Sequence, residues 1–262
     1  MPSHKFEIMA TYKKRGYKPK TQKEKEEIVE EASTTAEVFN TLDESASRTE
    51  EWVVKNQNYI FGIVGVVALV VLGIMGYNKF IAEPNAEEAM NEMTVAQRYF
   101  DEALNATEKD SLFTLSLEGG EGKYGMLDIA KEYGSTPAGN LANYYAGMAY
   151  LNMNKYDEAI KYLSEFKSDD LMLAPIAKGG IGDAFVQLNQ LEDGLEYYEK
   201  AIKTNPNDYT TPMYLKKAGV VAMKLGDNQK ALEYFERVKT EFSKSDDAQN
   251  IDKLIGKATA SL

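Results

Sequence analysis

A glycine cluster, LEGGEGKYG at residues 117–125, has the composition of a phosphate-binding loop. Its spacing matches neither GxxxxGK[ST] nor GxGxxG, the patterns whose backbone N–H groups hold phosphate. We therefore predict no nucleotide site here. We expect residues 111–125 to form an irregular loop.

The residue types that perform catalysis or bind metals are few in this chain. There is no cysteine, which excludes disulfides, thiolate metal sites and cysteine nucleophiles, and the single histidine is His4. Neither HExxH nor GxSxG occurs, and Asp and Glu residues stand among lysines at the spacing of solvated helix faces. We predict no enzyme, no catalytic, metal or cofactor-binding residues, and no small-molecule substrate.

The charge balance also excludes a class of partner. The chain has 41 acidic and 30 basic residues among 262, a formal net charge of −11. A polyanion would be repelled because the sequence offers no basic stripe to offset this charge. We predict that the protein does not bind nucleic acid.

Residues 59–77, YIFGIVGVVALVVLGIMGY, form the most apolar run of the chain and contain no charge. As a helix this run is roughly 28 Å long, close to the hydrocarbon thickness of a bilayer. A buried core helix would keep a polar face, and a cleaved signal peptide would start much nearer the amino end. We predict a transmembrane helix over residues 59–81, in contact with the lipid bilayer.

The basic residues around this run predict its orientation. Arg48 and Lys55 precede it and Lys79 follows it, and a more strongly basic segment lies at residues 12–25. The positive-inside rule then places the amino end, residues 1–58, in the cytoplasm as a disordered and then helical tail. The opposite topology, with the carboxyl-terminal part in the cytoplasm, remains an alternative.

Small residues line one side of the predicted span. At 100° per residue they fall within about 80° of one another. This face consists of Gly62, Gly65, Leu69, Gly73 and Gly76. Glycine lets a second helix approach closely, so we predict that this face packs against another membrane helix.

A helical lead-in, residues 82–135, follows the span. We expect Pro84 to break the chain, a long helix over 85–105, and a short helix over 125–133. Glycine and proline at positions 134 and 137 would end that short helix.

From residue 136 onward the chain repeats itself. Glycines recur at successive spacings of 35 and 37 residues: Gly147, Gly182 and Gly219. Twelve positions after each glycine stands another small residue: Ala159, Gly194 and Ala231. Four positions later stands a large one: Leu163, Tyr198 and Phe235. This spacing predicts helix hairpins in which small residues let the helices approach and the large residue fills the next layer.

These hairpins resemble the tetratricopeptide repeat. The matching segments are YDEAIKYL at 156–163, EYYEKAIKTNPND at 196–208 and GDNQKALEYFERV at 226–238. Phe166 departs from the usual small residue of the pattern, and Ser243 stands where proline is common. The resemblance implies an all-α protein, in which the transmembrane helix is followed by an α-solenoid of about three tetratricopeptide-type helix hairpins and a C-terminal helix over 136–262.

In such a solenoid the first helix of each hairpin lines a concave face. The repeat register assigns ten residues to this groove: Leu141, Tyr144, Met148, Leu151, Ile176, Asp183, Val186, Met213, Val220 and Met223. Because the set is apolar and rich in methionine, we predict that it binds a helix or an unfolded segment of a partner. The alternative is that residues 85–105 or the carboxyl-terminal tail cover it.

Three lysines cluster on the first helix of the third repeat: Lys216, Lys217 and Lys224. A solvated charged face explains them, and an acidic partner peptide is the alternative.

The layout as a whole resembles a narrower family, the YfgM-like ancillary subunits of the bacterial Sec translocon. The similarity lies in EWVVKNQNYI at 51–60, which enters the span, and in YGSTPAGNLANYYAGMAYL at 133–151. The family implies a bacterial inner-membrane protein with a periplasmic repeat domain, associated with the SecYEG channel and a membrane-anchored periplasmic chaperone. The alternative function is a scaffold or assembly factor for another cell-envelope complex.

Overall fold

The computed structural model describes residues 21–262. His4 and most of the basic segment at 12–25 lie outside the described residues. The chain divides into two compact units, Met1–Ile74 and Met75–Leu262. Helices make up most of the described part of both units.

Helix α1, Gln22–Tyr77, contains the predicted span. Of the described helices, the continuous stretch that holds residues 59–77 is the one long and apolar enough to cross a membrane, with a mean hydropathy of 2.5 over its most apolar 18 residues. None of that window is buried inside the chain. A core helix of a soluble protein would be mostly buried, so this exposure argues against the core-helix alternative.

The prediction that Pro84 breaks the chain is wrong. A π-helical turn, Asn78–Ala82, follows α1 and leads directly into α2, Glu83–Asn105, which also confirms the long helix predicted over 85–105. Proline lacks an N–H and its ring clashes with the carbonyl four residues back in a regular α-helix. Here the turn is wider: the N–H of Glu83 donates to the oxygen of Asn78, five residues back, and the helical path continues past the proline.

The irregular loop predicted over 111–125 is wrong as well. Its first half belongs to helix α3, Lys109–Glu118, whose Phe113 and Leu117 are buried. The glycines then form an antiparallel pair of two-residue strands, β1 (Gly119–Gly120) and β2 (Lys123–Tyr124). The spacing of apolar residues did not predict α3, because only two of its large apolar residues are fully buried.

The turn of this hairpin explains the glycine cluster without a ligand. Its two central residues, Glu121 and Gly122, have φ angles of 56° and 74°, the left-handed values that a tight hairpin turn requires. A Cβ atom on Gly120 would lie only 2.8 Å from ring atoms of Tyr99 on α2. Arg98 on α2 also holds Glu121 at 2.6 Å, and this hydrogen bond lowers the pKa of the Glu121 carboxyl. The glycines therefore let the hairpin lie flat on α2.

Helix α4, Met126–Glu132, confirms the short helix predicted over 125–133. Helices α2, α3 and α4 pack together and against the first helix of the repeats. Their shared core contains large buried side chains: Met93, Phe100, Phe113, Met126 and Ile129. The lead-in thus extends the repeat stack toward the amino end.

The repeats form three helix hairpins and a final helix, as predicted. Their bounds are α5 Pro137–Asn152 with α6 Tyr156–Glu165, α7 Leu173–Gln187 with α8 Leu191–Lys203, α9 Thr210–Lys224 with α10 Asn228–Glu241, a 3₁₀ turn at Asp246–Ala248, and α11 Ile251–Thr259. Each helix packs on the next along the chain.

The close approach predicted from the spacing is confirmed within each hairpin. A Cβ atom on Gly147 would lie 2.5 Å from Leu163, one on Gly182 would lie 2.7 Å from Tyr198, and one on Gly219 would overlap Phe235. The same glycine-to-large-residue contact therefore recurs three times, sixteen positions apart.

One turn geometry closes all three hairpins. The central residues Asn154, Asn189 and Gly226 have φ angles of 59°, 59° and 82°. After each of them, a backbone N–H donates to the carbonyl five residues back, for example from Lys155 to Tyr150 at 2.9 Å. This is a helix C-terminal motif that favours Gly or Asn in the left-handed position.

Candidate functional site

All ten predicted groove residues lie on the first helices of the hairpins, α5, α7 and α9. These helices are neighbours, since α7 contacts both α5 and α9 as well as α6 and α8. Nine of the ten side chains are half-buried, and Val220 is exposed. The structure thus places the set on consecutive helices, with only part of each side chain open to solvent.

At the amino-terminal end of the groove, the predicted groove side chains pack partly into the protein core. Tyr144 lies edge-on to Tyr145 and packs on Phe166 with ring centroids 5.2 Å apart. Burial raises the pKa of the Tyr144 hydroxyl to about 12. Leu141 and Met148 pack against the core that α5 shares with the lead-in. A partner would therefore meet the edges of these side chains.

Most of the remaining apolar groove residues also contact the core or a neighbouring helix. Val186, Met213 and Met223 pack against the core of the third repeat. Leu151 lies near Gly180 of the next hairpin, where a Cβ atom would be 3.6 Å from its side chain. The backbone oxygen of Ile176 accepts a hydrogen bond of 3.5 Å from a tyrosine of α9.

The two segments that could have covered the groove lie at the ends of the stack. Helix α2 makes its main contacts with α3, α4 and α5, while α11 makes its main contacts with α10. The side chains of Ile251 and Ala258 of α11 are buried in the core of the third repeat. These helices shield the two ends of the repeat core, which an open solenoid requires.

Asp183 is already bound by groups of the protein itself. Its carboxylate accepts a hydrogen bond of 2.6 Å from the Tyr198 hydroxyl and forms an ion pair of 2.7 Å with Lys217. Burial, and then the charge of Asp183, raise the pKa of Tyr198. The Lys217 ammonium also lies 5.9 Å from the Tyr198 ring centroid and 5.5 Å from that of Tyr214. Asp183 therefore joins the second and third repeats.

Two of the three clustered lysines have internal partners. Lys217 pairs with Asp183 as described, and Lys216 pairs with Asp247 of the 3₁₀ turn at 3.2 Å. Lys224 is exposed. Because two of the three charges are neutralised within the domain, the cluster is a poor receptor for an acidic peptide.

The sequence reasoning did not foresee the link that Tyr214 makes. Its ring stacks on Tyr198 with centroids 6.0 Å apart, it is almost fully buried, and it lies against Gly179 of the preceding hairpin. Gly179 could have indicated this contact, because a glycine inside a helix often marks a close approach by another residue.

The predicted helix-packing face of the span lies on α1. A Cβ atom added to Gly62, Gly65, Gly73 or Gly76 would meet no described atom within 4 Å. Leu69 on the same face is exposed. The face is therefore not used for packing by the described residues of this chain.

Within residues 21–262 there is no group of three or more His, Cys, Asp and Glu side chains arranged to hold a metal ion. Several of the acidic residues there pair with lysine or arginine, as in Lys239–Asp252 at 2.8 Å.

Comparison with known proteins supports the assignment of the repeats. The tetratricopeptide repeat family model matches residues 144–209 and 180–246. The match supports the resemblance predicted from the sequence and makes this region a protein–protein interaction module. No curated protein gives a significant match to the chain.

Proposed function

We propose that this chain is a single-pass protein of the bacterial inner membrane, whose tetratricopeptide repeats lie in the periplasm and whose amino end lies in the cytoplasm. In this proposal it is an accessory subunit of the SecYEG translocon. It recruits a membrane-anchored periplasmic chaperone or binds polypeptides as they emerge from the channel.

The observation that carries the proposal is the pairing of two modules in one chain. An apolar helix with none of its most apolar window buried precedes a stack of protein-interaction repeats. Exposing so many apolar side chains to water is unfavourable, whereas a bilayer accommodates them. A repeat domain tethered in this way meets partners at the membrane surface.

The Sec assignment is supported by the sequence resemblance at 51–60 and 133–151 and by the span itself. Four glycines of α1 lie on one face without a packing partner among the described residues. In a lipid environment such a face associates with another helix through close van der Waals packing. A subunit of a membrane channel complex would use it for that purpose.

Topology and partnership can be tested separately. Protease added to intact spheroplasts should digest the carboxyl-terminal domain, and a protected domain would contradict the periplasmic location. Photo-crosslinkers placed at Gly65 and at Val67, on opposite sides of α1, should then be compared by mass spectrometry. Adducts with SecYEG subunits from position 65 are expected. Adducts dominated by another envelope machine would instead support an assembly factor for that machine.

A further inference from the structure

Two equivalent creases run along the stack, each between the second helices of neighbouring hairpins. The first crease lies between α6 and α8 over α7, and the second lies between α8 and α10 over α9. Positions in α6 correspond to those 35 residues later in α8, and positions in α7 and α8 correspond to those 37 residues later. The two creases can therefore be compared residue by residue.

Two large side chains of α9, the helix beneath the second crease, are buried. Tyr214 and Leu215 of α9 are 2% and 0% exposed. The corresponding residues of the first crease are Ala177 and Lys178. The first crease thus has a smaller side chain and a cation where the second has two large buried groups.

The helix that borders the first crease is also shorter. Helix α6 ends at Glu165 after 10 residues, whereas α8 and α10 have 13 and 14. The chain turns out of the helix at Phe166, which adopts φ −69° and ψ 127° and places its ring on Tyr144. At the position of Phe166 the second crease has Ala201, which is buried within the last turn of α8. The departure from the repeat pattern at Phe166 thus removes a helical turn.

A cavity of about 260 Å³ occupies this region of the first crease. Its floor is apolar, with Leu163, Ala177 and Ile181 all less than 5% exposed. Phe166 and Tyr197 are its aromatic walls. An alanine, two lysines and two serines complete the lining: Ala174, Lys178, Lys200, Ser164 and Ser168. The lining contains no carboxylate.

The second crease shows which charged group the first one lacks. There, the Glu199 carboxylate accepts a hydrogen bond of 2.7 Å from the Tyr234 hydroxyl and pairs with Lys230 at 2.6 Å. At the corresponding positions the first crease has Ser164 in place of Glu199 and Tyr197 in place of Tyr234. A tyrosine hydroxyl is thus retained while its carboxylate partner is replaced.

The cation is supplied differently in the first crease. Asp193 stands at the position of Lys230, outside the cavity lining, whereas Lys178 rises from the floor. The Lys178 ammonium bonds the Thr204 hydroxyl at 2.6 Å. Lys200 lies 4.0 Å from the Tyr197 ring centroid and is shared with a glutamate one turn away. In the described part of the chain the Tyr197 hydroxyl has no hydrogen bond and Lys178 has no carboxylate within ion-pair distance.

We propose that the first crease is a binding site for a partner polypeptide that inserts an apolar side chain next to a carboxylate. The carboxylate lies over the cavity near Lys178, the lysine of the lining that has no ion pair among the described residues, and Tyr197 borders the same cavity. The apolar side chain fills the cavity over Leu163 and Ile181. The volume suits one side chain, because pockets for larger ligands have about 300–1,000 Å³. The site is distinct from the concave groove.

The basic segment of the chain's own amino end does not match the charge of this site. The segment at 12–25 is basic and would be repelled by Lys178 and Lys200. An acidic and apolar segment of another protein matches both the charge and the shape of the cavity.

The test uses the full chain in lipid nanodiscs with 3-fluorotyrosine incorporated at Tyr197, observed by ¹⁹F NMR. The probes are acetyl-Leu-Glu-amide and its neutral match, acetyl-Leu-Gln-amide. We expect a saturable chemical-shift change with the first peptide. The second peptide should bind with an affinity lower by at least about tenfold, because a charge-assisted hydrogen bond is lost. Equal responses to the two peptides would overturn the proposal. A stronger response to octanoate than to the Glu peptide would also overturn it, in favour of a site for alkyl carboxylates.

Two variants copy the second crease into the first. Ser164→Glu supplies the carboxylate from within, and Lys178→Leu introduces the residue found at position 215. Both should abolish the response to the Glu peptide while the thermal unfolding temperature stays equal or rises. Ser111→Glu, which adds the same charge on the exposed side of α3, should leave the titration unchanged. An undiminished titration in Ser164→Glu would refute the site even if SecYEG association is confirmed.

Discussion

The ring of Tyr214 occupies the space directly against Gly179, so that a Cβ atom at position 179 would overlap the ring atoms Cε1 and Cζ. Gly179 belongs to the second hairpin and Tyr214 to the third. The Tyr214 hydroxyl also donates to the backbone oxygen of Ile176 at 3.5 Å. The two repeats therefore interlock through a buried aromatic ring, and the relative position of α7 and α9 in the groove depends on this contact.

Gly179→Ala should destabilise the repeat domain. The added methyl group has no room beside a buried ring, and overpacking of this kind costs about 1–3 kcal/mol. Urea unfolding followed by circular dichroism would measure the loss. The matched control is Gly256→Ala in α11, where a Cβ atom would meet nothing within 4 Å. There, a gain of about 0.5–1 kcal/mol is expected from helix propensity. A neutral effect at position 179 would show that the contact does not constrain the stack.

The Asp183–Lys217 pair should contribute more than a surface ion pair. Removing either partner leaves the charge of the other half-buried and without its ion-pair partner, at a cost of about 1–3 kcal/mol. A double-mutant cycle with Asp183→Asn and Lys217→Met measures the coupling free energy. The control cycle is Glu196 with Lys200, a solvated pair on one helix, for which about 0.3–0.5 kcal/mol is expected. Equal coupling in the two cycles would contradict a special role for Asp183.

Glu199 should make stability depend on pH. Burial raises the pKa of its carboxyl, but hydrogen bonds from Lys230 and Tyr234 lower it by more, so the net pKa lies below the ordinary value. Because the folded-state pKa is lowered, this contribution is complete above the unfolded pKa of about 4.3 and is lost as pH falls through the folded pKa. Glu199→Gln should therefore be destabilising at pH 7 and less so at acidic pH.

Unfolding free energies of wild type and Glu199→Gln, measured from pH 7 down to the acidic range, test this. The exposed Glu233→Gln change on α10 is the control and should give a small difference at every pH. A destabilisation by Glu199→Gln that does not change with pH would mean that the carboxylate is not the source of the effect.

The groove can be tested by introducing charge. Met148→Glu and Met223→Glu should each reduce capture of partner proteins in a pull-down from solubilised membranes, because a carboxylate opposes binding of an apolar segment. The control is Met172→Glu, at an exposed residue that precedes α7. Unfolding temperatures would show that each variant remains folded. Unchanged capture by folded Met148→Glu and Met223→Glu would exclude the groove as the binding surface.

A separate prediction concerns the glycine face of α1. Replacing Gly65 and Gly73 together with leucine should disrupt copurification with SecYEG while leaving membrane insertion intact, since bulky side chains prevent close helix approach. The matched control is Val67→Leu with Val71→Leu, on the opposite side of the helix. Equal copurification of both double variants would refute the proposed interface.

Much of the architecture could be predicted from the sequence because it is encoded by spacing along the chain. The sixteen-residue interval between Gly147 and Leu163 recurs in both later repeats, so the contact between the two helices of each hairpin can be predicted from the sequence of that hairpin. The ten groove positions followed from that register. The apolar length of 59–77 likewise depends on composition alone.

Features that depend on a neighbour at a distance were missed or misjudged. The π turn carries the helical path past Pro84 through a wider hydrogen-bond spacing, and the glycine hairpin depends on its close contact with Tyr99 of α2. The pairing of Asp183 with Lys217 joins residues 34 positions apart.

By itself, therefore, the sequence determined that this protein has an apolar helix of membrane-spanning length and a stack of helix hairpins that resemble tetratricopeptide repeats. Periodicity and composition are local properties, and they suffice for elements of this kind. The tertiary structure decided which charges are neutralised inside the stack and which crease stays open between its helices. Those outcomes depend on the volumes and charges that separate repeats bring together, as where Lys178 and Ser164 line one cavity, and no single repeat contains them.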